Sequence, residues 1–334
     1  MKIAFVGKGG SGKSTLSSLF IRYLQNVRKR NVLAIDADLN MNLAGLLGVK
    51  VDEKTLMARP EVAESIRNFL KGGNKRVPDV SKFLPTTPPG AGSNLVCSAQ
   101  EPGLQPFCVN VSQSPIVNLL TVGSYDKDGI GQTCYHSHLF VAENILSHTV
   151  TSPDFTIVCD MVAGTDAFAY SMHLQFDAIV LIAEPTPEST EVCKLYMDLA
   201  RQCGVDELIH LVGNKIEDAD DIEFISKTVD KKLLVSVPAM PKLKKARQRG
   251  EIVGGELLDP TLTQVMRIIE NEAQLPSISP AQRLEMLHKL HLKLNDKQWV
   301  QLGYGDVADQ IDPDFQYLPR HAGVAAGGSI GKSR

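Results

Sequence analysis

Gly7, Gly12, Lys13 and Ser14 stand in the order G-x-x-x-x-G-K-S within "FVGKGGSGKST", residues 5–15. That order suits the grip of a polyphosphate. Glycines let backbone N–H groups converge on phosphate oxygens, and a following helix N-terminus adds partial positive charge. Lys13 would reach the β- and γ-phosphates and Ser14 would ligate Mg²⁺, with Gly9, Gly10, Ser11 and Thr15 completing the loop. The pattern requires a strand before it and a helix after it. "KIAFV" at 2–6 supplies the first, and Leu16, Leu19, Phe20, Tyr23 and Leu24 recur at helical spacing to supply the second. A tight strand–helix turn of small residues is the plainer alternative, and the agreement of pattern with context speaks against it. A second lysine, Lys8, precedes the G-K-S by four residues and has no role in the basic pattern.

Further along the chain lie other residues fit for chemistry. "LAIDADLNMN" puts Asp36 and Asp38 at the end of an apolar run, and "IVCDMVAGTD" does the same for Asp160, with Gly164 beyond it. In "LVGNKIED", Asn214 follows a strand and could hydrogen-bond the ring of a purine. Cys134-x-His136-x-His138 offers a thiolate and two imidazoles, donors that suit Zn²⁺, Cu or Ni²⁺. If a strand continued through 138, alternation would put all three on one face.

The loop "GKGGSGKST", with a lysine directly after the first glycine, resembles the deviant Walker A motif of a family of dimeric ATPases. That family includes the nitrogenase iron protein, the septum-positioning (MinD-type) and partition (ParA-type) ATPases, and the metallocentre-maturation ATPases. The resemblance implies ATP and Mg²⁺ as ligands and a homodimer formed on ATP binding. It implies that Lys8 crosses the dimer interface to the partner's nucleotide, where positive charge would stabilise the transferring phosphoryl group. It makes Asp38 the carboxylate beside the attacking water and puts Asn42 in the first switch. Asp160 would hold a Mg²⁺-bound water, and Gly164 would let the second switch approach the γ-phosphate. The spacing D-x-x-x-G differs from the D-x-x-G of ordinary GTPases. Glu217 stands where a guanine-reading N-K-x-D motif has Asp, which by itself leaves guanine open; the loop form and the D-x-x-x-G switch favour adenine. "VPAMPKLKKARQRG" resembles the family's base-flanking loop, which assigns Pro238 to the base.

"DMVAG", "LIAEPTPESTEVCKLYMDLARQCGV" and "HLVGNKI" resemble the nickel-insertion accessory ATPases of carbon monoxide dehydrogenase, the CooC type. This branch implies slow ATP hydrolysis and action on a client protein. It carries a metal-binding C-x-C ahead of a helix. Here "DGIGQTCYHSH" has one cysteine in that place, so Gln132 and Cys134, or Cys134 and His136, occupy the two positions. The paired thiolates are absent. Cys134, His136 and His138 could form a substitute ligand set, for Zn²⁺ or Ni²⁺; the alternative is a packed Cys134 with the histidines capping or hydrogen-bonding near the helix start. The alternative function is a spatial-organising or partition ATPase. A septum-type protein would end in a basic amphipathic membrane helix, and a partition-type protein would bind DNA without sequence preference. An iron–sulfur reductase would need a cysteine pair that does not stand out.

These residues need elements to hold them. Apolar runs at 2–6, 32–36, 118–122, 155–160, 178–183, 208–213 and 233–237 alternate with helical patterns. Such runs imply an α/β fold, a doubly wound, mostly parallel sheet of about seven strands with helices on both faces. It would be a P-loop NTPase domain over 1–275. Residues 72–115, rich in Gly, Pro, Ser and Asn, read as an irregular insertion. Residues 276–334 form a C-terminal extension: "LPSISP" signals a helix start, the helix runs over 281–294, and a flexible tail follows. Leu284, Leu287, Leu290 and Leu294 share one face of that helix, which docking on its own domain would use. The tail's Gly331-Lys332-Ser333 mimics a phosphate loop but has no strand before it.

The chain has 334 residues, 43% hydrophobic, a net charge of -3 and a pI of about 6.3. That balance disfavours bulk nucleic-acid binding. No run of 18 apolar residues spans a membrane, and no signal peptide is recognisable. Six scattered cysteines suit a reduced, cytoplasmic protein with free thiols.

Overall fold

All six residues of "KIAFVG" are buried, as are all six of "AIVLIA" and all seven of "FTIVCDM". Strands apolar on both faces must be covered on both faces, and they form the centre of the sheet. A computed structural model describes residues 1–124, 135–249, 252 and 258–317. The elements are β1 (Lys2–Gly7), α1 (Lys13–Tyr23), β2 (Asn31–Ala37), α2 (Asn42–Leu47), α3 (Pro60–Lys71), β3 (Val109–Gln113), β4 (Ile116–Thr121), α4 (Tyr135–Ser147) and β5 (Phe155–Met161). There follow β6 (Ala178–Ala183), α5 (Pro187–Cys203), β7 (Ile209–Ile216), α6 (Ala219–Val229), β8 (Val235–Pro238), α7 (Pro241–Gln248), α8 (Pro260–Ala273), α9 (Pro280–Asn295) and α10 (Gln298–Gly303).

The sheet runs β3-β4-β2-β5-β1-β6-β7-β8. Every pairing is parallel except β3 with β4. The chain leaves β1 toward β2 on one side and later returns to β6 on the other. Such a switch in winding opens a crevice at the carboxyl ends of the strands, the usual place for a ligand. Two apolar clusters flank the sheet. One gathers Leu16, Leu19, Phe20, Leu43 and Met266 from α1, α2 and α8; the other gathers Ile66, Ile145, Tyr196 and Ile225 from α3, α4, α5 and α6.

Among the described residues the sheet has eight strands, one more than the apolar runs indicate. The additional strand, β3, lies inside the segment read as irregular. Val109 and Val111 alternate with Asn110 and Ser112, too little apolar residue to stand out. As an antiparallel edge strand it needs apolar contact on one face only.

The C-terminal extension stitches onto the 72–107 segment. The helix start at "LPSISP" is a capping box: Ser279 Oγ accepts from the Gln282 amide, and Gln282 Oε1 accepts from the Ser279 amide. Leu284, Leu287 and Leu294 are buried and Leu290 packs on the core, so the apolar face of α9 is consumed within the chain. That leaves it unable to serve as a membrane-surface helix in this arrangement. Arg283 pairs with Asp177 at 2.8 Å. His291 bridges Thr86 Oγ1 (2.9 Å) and the Val307 carbonyl (3.0 Å). Gln310 accepts from Thr87 and donates to the Lys82 carbonyl. Among the described residues no helix is long and apolar enough to cross a membrane.

Burial holds His148 and His291 down at about 4. The unfolded chain protonates both near their ordinary value of about 6.5. Between these values the unfolded state binds more protons, so stability falls as pH drops from about 6.5 toward about 4. The Tm should therefore fall steeply across that window. His291→Gln should be less stable at neutral pH and show a shallower acid decline, read by circular dichroism melts.

Candidate functional site

Residues 8–12 connect the end of β1 to the start of α1. Gly7, Gly10 and Gly12 have φ of 145°, 86° and 102°, a region that L side chains rarely enter. Gly12 is the N-cap of α1. A Cβ there would also collide with the side-chain amide of Asn214, and one on Gly7 would lie 2.5 Å from the Ile182 carbonyl oxygen. The loop is thus pressed onto β6 and β7, with no space for larger residues at these two points. The first N–H groups of α1 have no carbonyl within the helix, which leaves the amides of Lys13 and Ser14 for an anion.

Lys13 is 5% exposed, and its Nζ lies 3.8 Å from Asp38 Oδ2. Asp38 Oδ1 accepts from the Asn40 amide and side chain. Asp36, two residues earlier in β2, has a different task. Its carboxylate accepts from the amides of Asp38 and Leu43, fastening the loop that leads into α2. Asn42 opens α2 and is exposed. In register with Asp36 across β2 and β5 stands Asp160, fully buried. Neither of its oxygens accepts a hydrogen bond of good geometry among the described residues, although Ser14 and Ser17 lie close. Desolvation pushes its pKa up to about 7 against the pull of Ser14 and Lys13. Burial and the nearby Asp160 raise Asp36 as well. A buried carboxylate without a well-formed hydrogen bond, close to a helix-start serine, is a ligand set that fits Mg²⁺ and its water shell.

Gly164, at φ 86°, donates its amide to the Gly7 carbonyl at 3.2 Å. The segment after Asp160 therefore lies against the glycine loop. Lys8 is half-buried and makes no side-chain hydrogen bond or ion pair among the described residues. Asn214 is 5% exposed and donates to the Ser11 carbonyl at 2.7 Å, so it braces the loop. It also lines a cavity of about 780 Å³ with Gly10, Gly12, Thr15, Lys215 and Pro238. Its size and position beside the phosphate loop suit a nucleotide's base and sugar.

Sequence reasoning missed Glu184 and Lys215. Their side chains form an ion pair, and Lys215 Nζ also donates to the Gly10 carbonyl at 3.3 Å. The only signal was their place in "AEPTP" and "GNK", at the carboxyl ends of the two strands that border the loop.

The Cys134-His136-His138 expectation changes. Cys134 lies outside the described residues. The backbone is α-helical from Tyr135, not extended through 138. Positions 136 and 138 are then about 200° apart around the helix axis and share no face. Among the described residues no group of three or more His, Cys, Asp and Glu is placed to hold a metal.

Residues 3–254 match the family described as the CobQ/CobB/MinD/ParA nucleotide-binding domain. The chain belongs to that family. It is a P-loop NTPase with the fold its members share. The carbon monoxide dehydrogenase accessory protein CooC of Rhodospirillum rubrum is 29% identical over 252 residues, 75% of this chain and 88% of the relative. An uncharacterized ATP-binding protein of Methanocaldococcus jannaschii is 26% identical over 66% of this chain and 77% of its own length. The solved ParA family ATPase of Chlorobium tepidum TLS superposes with a TM-score of 0.55 at 17% identity, covering 81% of this chain and 96% of that one. The fold is the same; the family match leaves residues 255–334 outside.

Gly12→Ala should abolish nucleotide retention, because the methyl both meets Asn214 and demands an unfavourable φ. Lys13→Ala should do the same by removing the buried charge, with the fold retained. Titration with a fluorescent ATP analogue, alongside a melting curve, checks both.

Proposed function

We propose that this protein is a dimeric Mg²⁺–ATP-dependent switch of the CooC-like maturation type, hydrolysing ATP slowly and acting on a partner protein. The observation that carries the reading is the convergence of Lys13, Asp38 and Asp160 on one buried edge, with the half-buried Lys8 in the adjoining loop. The 29% identity to CooC over three-quarters of the chain supports the branch.

In this reading the loop amides and Lys13 hold the β- and γ-phosphates, and Ser14 and Asp160 would hold Mg²⁺. That ion supplies charge neutralisation on the phosphate oxygens when bound. Asp38 orients a water toward the γ-phosphorus. A P–O bond forms from the water, the bond to the β-phosphate oxygen breaks, and ADP and phosphate leave. Phosphoryl transfer of this kind is catalysed by positioning and electrostatics. Lys8 reaches the nucleotide of the second subunit, so closing the dimer completes both sites. Pro238 and Asn214 border the adenine.

Asp38→Ala should bind ATP with little change in affinity yet lose turnover. Equal hydrolysis of GTP and ATP would overturn the adenine reading. Lys8→Ala should keep nucleotide affinity within about tenfold, since Lys13 and the loop amides remain, while losing ATP-driven dimer closure and turnover. Light scattering that shows one oligomeric state with and without ATP, and normal turnover by Lys8→Ala, would remove the trans role.

A further measurement uses the chain's single tryptophan. Trp299 on α10 stands edge-on to Tyr170 (ring centroids 6.2 Å apart), and Tyr170 stands edge-on to Phe140 of α4 (4.9 Å). Tyr170 lies six residues beyond Gly164. A non-hydrolysable ATP analogue that moves the segment after Asp160 should alter Trp299 emission saturably, with a midpoint equal to the Kd; Tyr170→Ala should abolish the change and leave binding intact.

A further inference from the structure

Successive residues of a strand point to opposite faces of a sheet. Asn214 and Lys215 are successive residues of β7, yet both reach the phosphate loop and bond neighbouring carbonyls, Ser11 O and Gly10 O. The backbone shows how. The register of β7 against β8 shifts between Asn214 and Ile216, leaving Lys215 as the extra residue of a bulge. Its φ is 61°, a conformation populated by Gly, Asn and Asp far more than by lysine. Bulges re-aim side chains, and strained residues persist only where their surroundings over-determine them. Here the surroundings are Glu184, largely buried at the carboxyl end of β6, and the Gly10 carbonyl. The side-chain amine is held at both points.

We propose that Lys215, anchored by Glu184, is a positioning residue for nucleotide binding: with Asn214 it turns two consecutive loop carbonyls toward β7, so that the loop's N–H groups stay directed at the phosphates. The inference rests on the nucleotide-binding reading of the loop. The chemistry is directional. A loop of glycines has many backbone states; a carbonyl that rotated inward would set a partial negative charge against a phosphate. Asn214 holds Ser11 from a buried position, whereas Gly10 is exposed and both its neighbours in the loop are small or flexible. Without Lys215 the Gly10 carbonyl loses its side-chain anchor, and only the Ser11 N–H bond to the Lys8 carbonyl (3.1 Å) restrains that peptide. The ion pair is half exposed and adds little to folding by itself; its effect is on the loop.

The test uses the full chain and measures ADP and ATP affinity, steady-state kinetics and melting temperature. Lys215→Asn keeps a residue suited to the bulge conformation but removes the amine. Affinity for ADP and ATP should fall alike by about tenfold, the worth of one hydrogen bond from a charged group. KM should rise with kcat held, since the interaction serves bound substrate and transition state equally. Lys215→Arg, which keeps a cationic donor, should recover most of the loss. Glu184→Gln, which releases the anchor but keeps the lysine, should give a smaller shift of the same kind. Unchanged affinity in Lys215→Asn would overturn the proposal. So would a fall in kcat with KM unchanged, or a loss confined to ATP, because either would make Lys215 a contact of the transferring phosphate. Wild-type protein that binds neither nucleotide would bring down the parent reading itself. Should Lys215→Asn fail to fold, Glu184→Gln and Lys215→Arg decide the matter alone: an affinity in Glu184→Gln equal to wild type overturns the anchoring role.

Discussion

Lys13, Asp36, Asp38 and Asp160 crowd one positive and three negative groups into a space that solvent barely reaches. Three buried carboxylates and one ammonium cannot all be charged without further compensation. The protein distributes the burden unequally. Asp36 is satisfied by two backbone amides, Asp38 by Asn40 and by Lys13, and Asp160 by no well-formed hydrogen bond among the described residues. Its raised pKa follows from burial before any neighbour acts. A site of this kind has a deficit of positive charge on one side and free amide donors on the other. A polyphosphate and its divalent cation supply the complementary pair together: the anion meets the amides and the cation offsets the carboxylates that would otherwise repel it.

The deficit exists only because of the sheet. Parallel pairing of β1, β2 and β5 brings three carboxyl ends to one edge, with Phe5 opposite Asp160 and Asp160 opposite Asp36. The same edge receives the glycine loop from one side and the segment around Gly164 from the other, joined by the Gly164–Gly7 hydrogen bond. A displacement of either would be felt by the other, since interiors this closely packed transmit strain. That is the physical basis on which a nucleotide could change the surface offered to another protein.

The C-terminal extension, outside the family match, forms a unit with the 72–107 segment and α4, which lie within it. Asn144 of α4 donates to the Leu84 carbonyl, Glu143 accepts from the amide and hydroxyl of Ser171, and the Ser147 carbonyl accepts from Tyr317. Ser171 follows Gly164 by seven residues. The added parts therefore touch the chain where it leaves the nucleotide edge. Their effect on stability is pH-dependent through His291, which must stay neutral to remain buried.

Local spacing carried much of this. The G-x-x-x-x-G-K-S order, the apolar strand before it and the helical periodicity after it need only a few neighbouring residues, and hydrophobic runs of strand length must be covered on both faces wherever they lie. From these the loop, its lysine and serine, the strand-end aspartates and the doubly wound class are legible in the sequence. Its reach ended where a residue's partner is chosen by packing across the molecule. The bulge at Lys215 depends on β8, and its anchor Glu184 sits 31 residues away. Asn214 was readable as a purine contact, yet only the approach of β7 to the loop shows it bonded to Ser11. β3 carries two valines and becomes a strand because β4 offers it an edge. His136 and His138 alternate as a strand would have them, but the packed face of α4 decides for a helix. Sequence determines what the backbone can do over a few residues; tertiary structure decides which distant groups share one space, and so which charges must balance there.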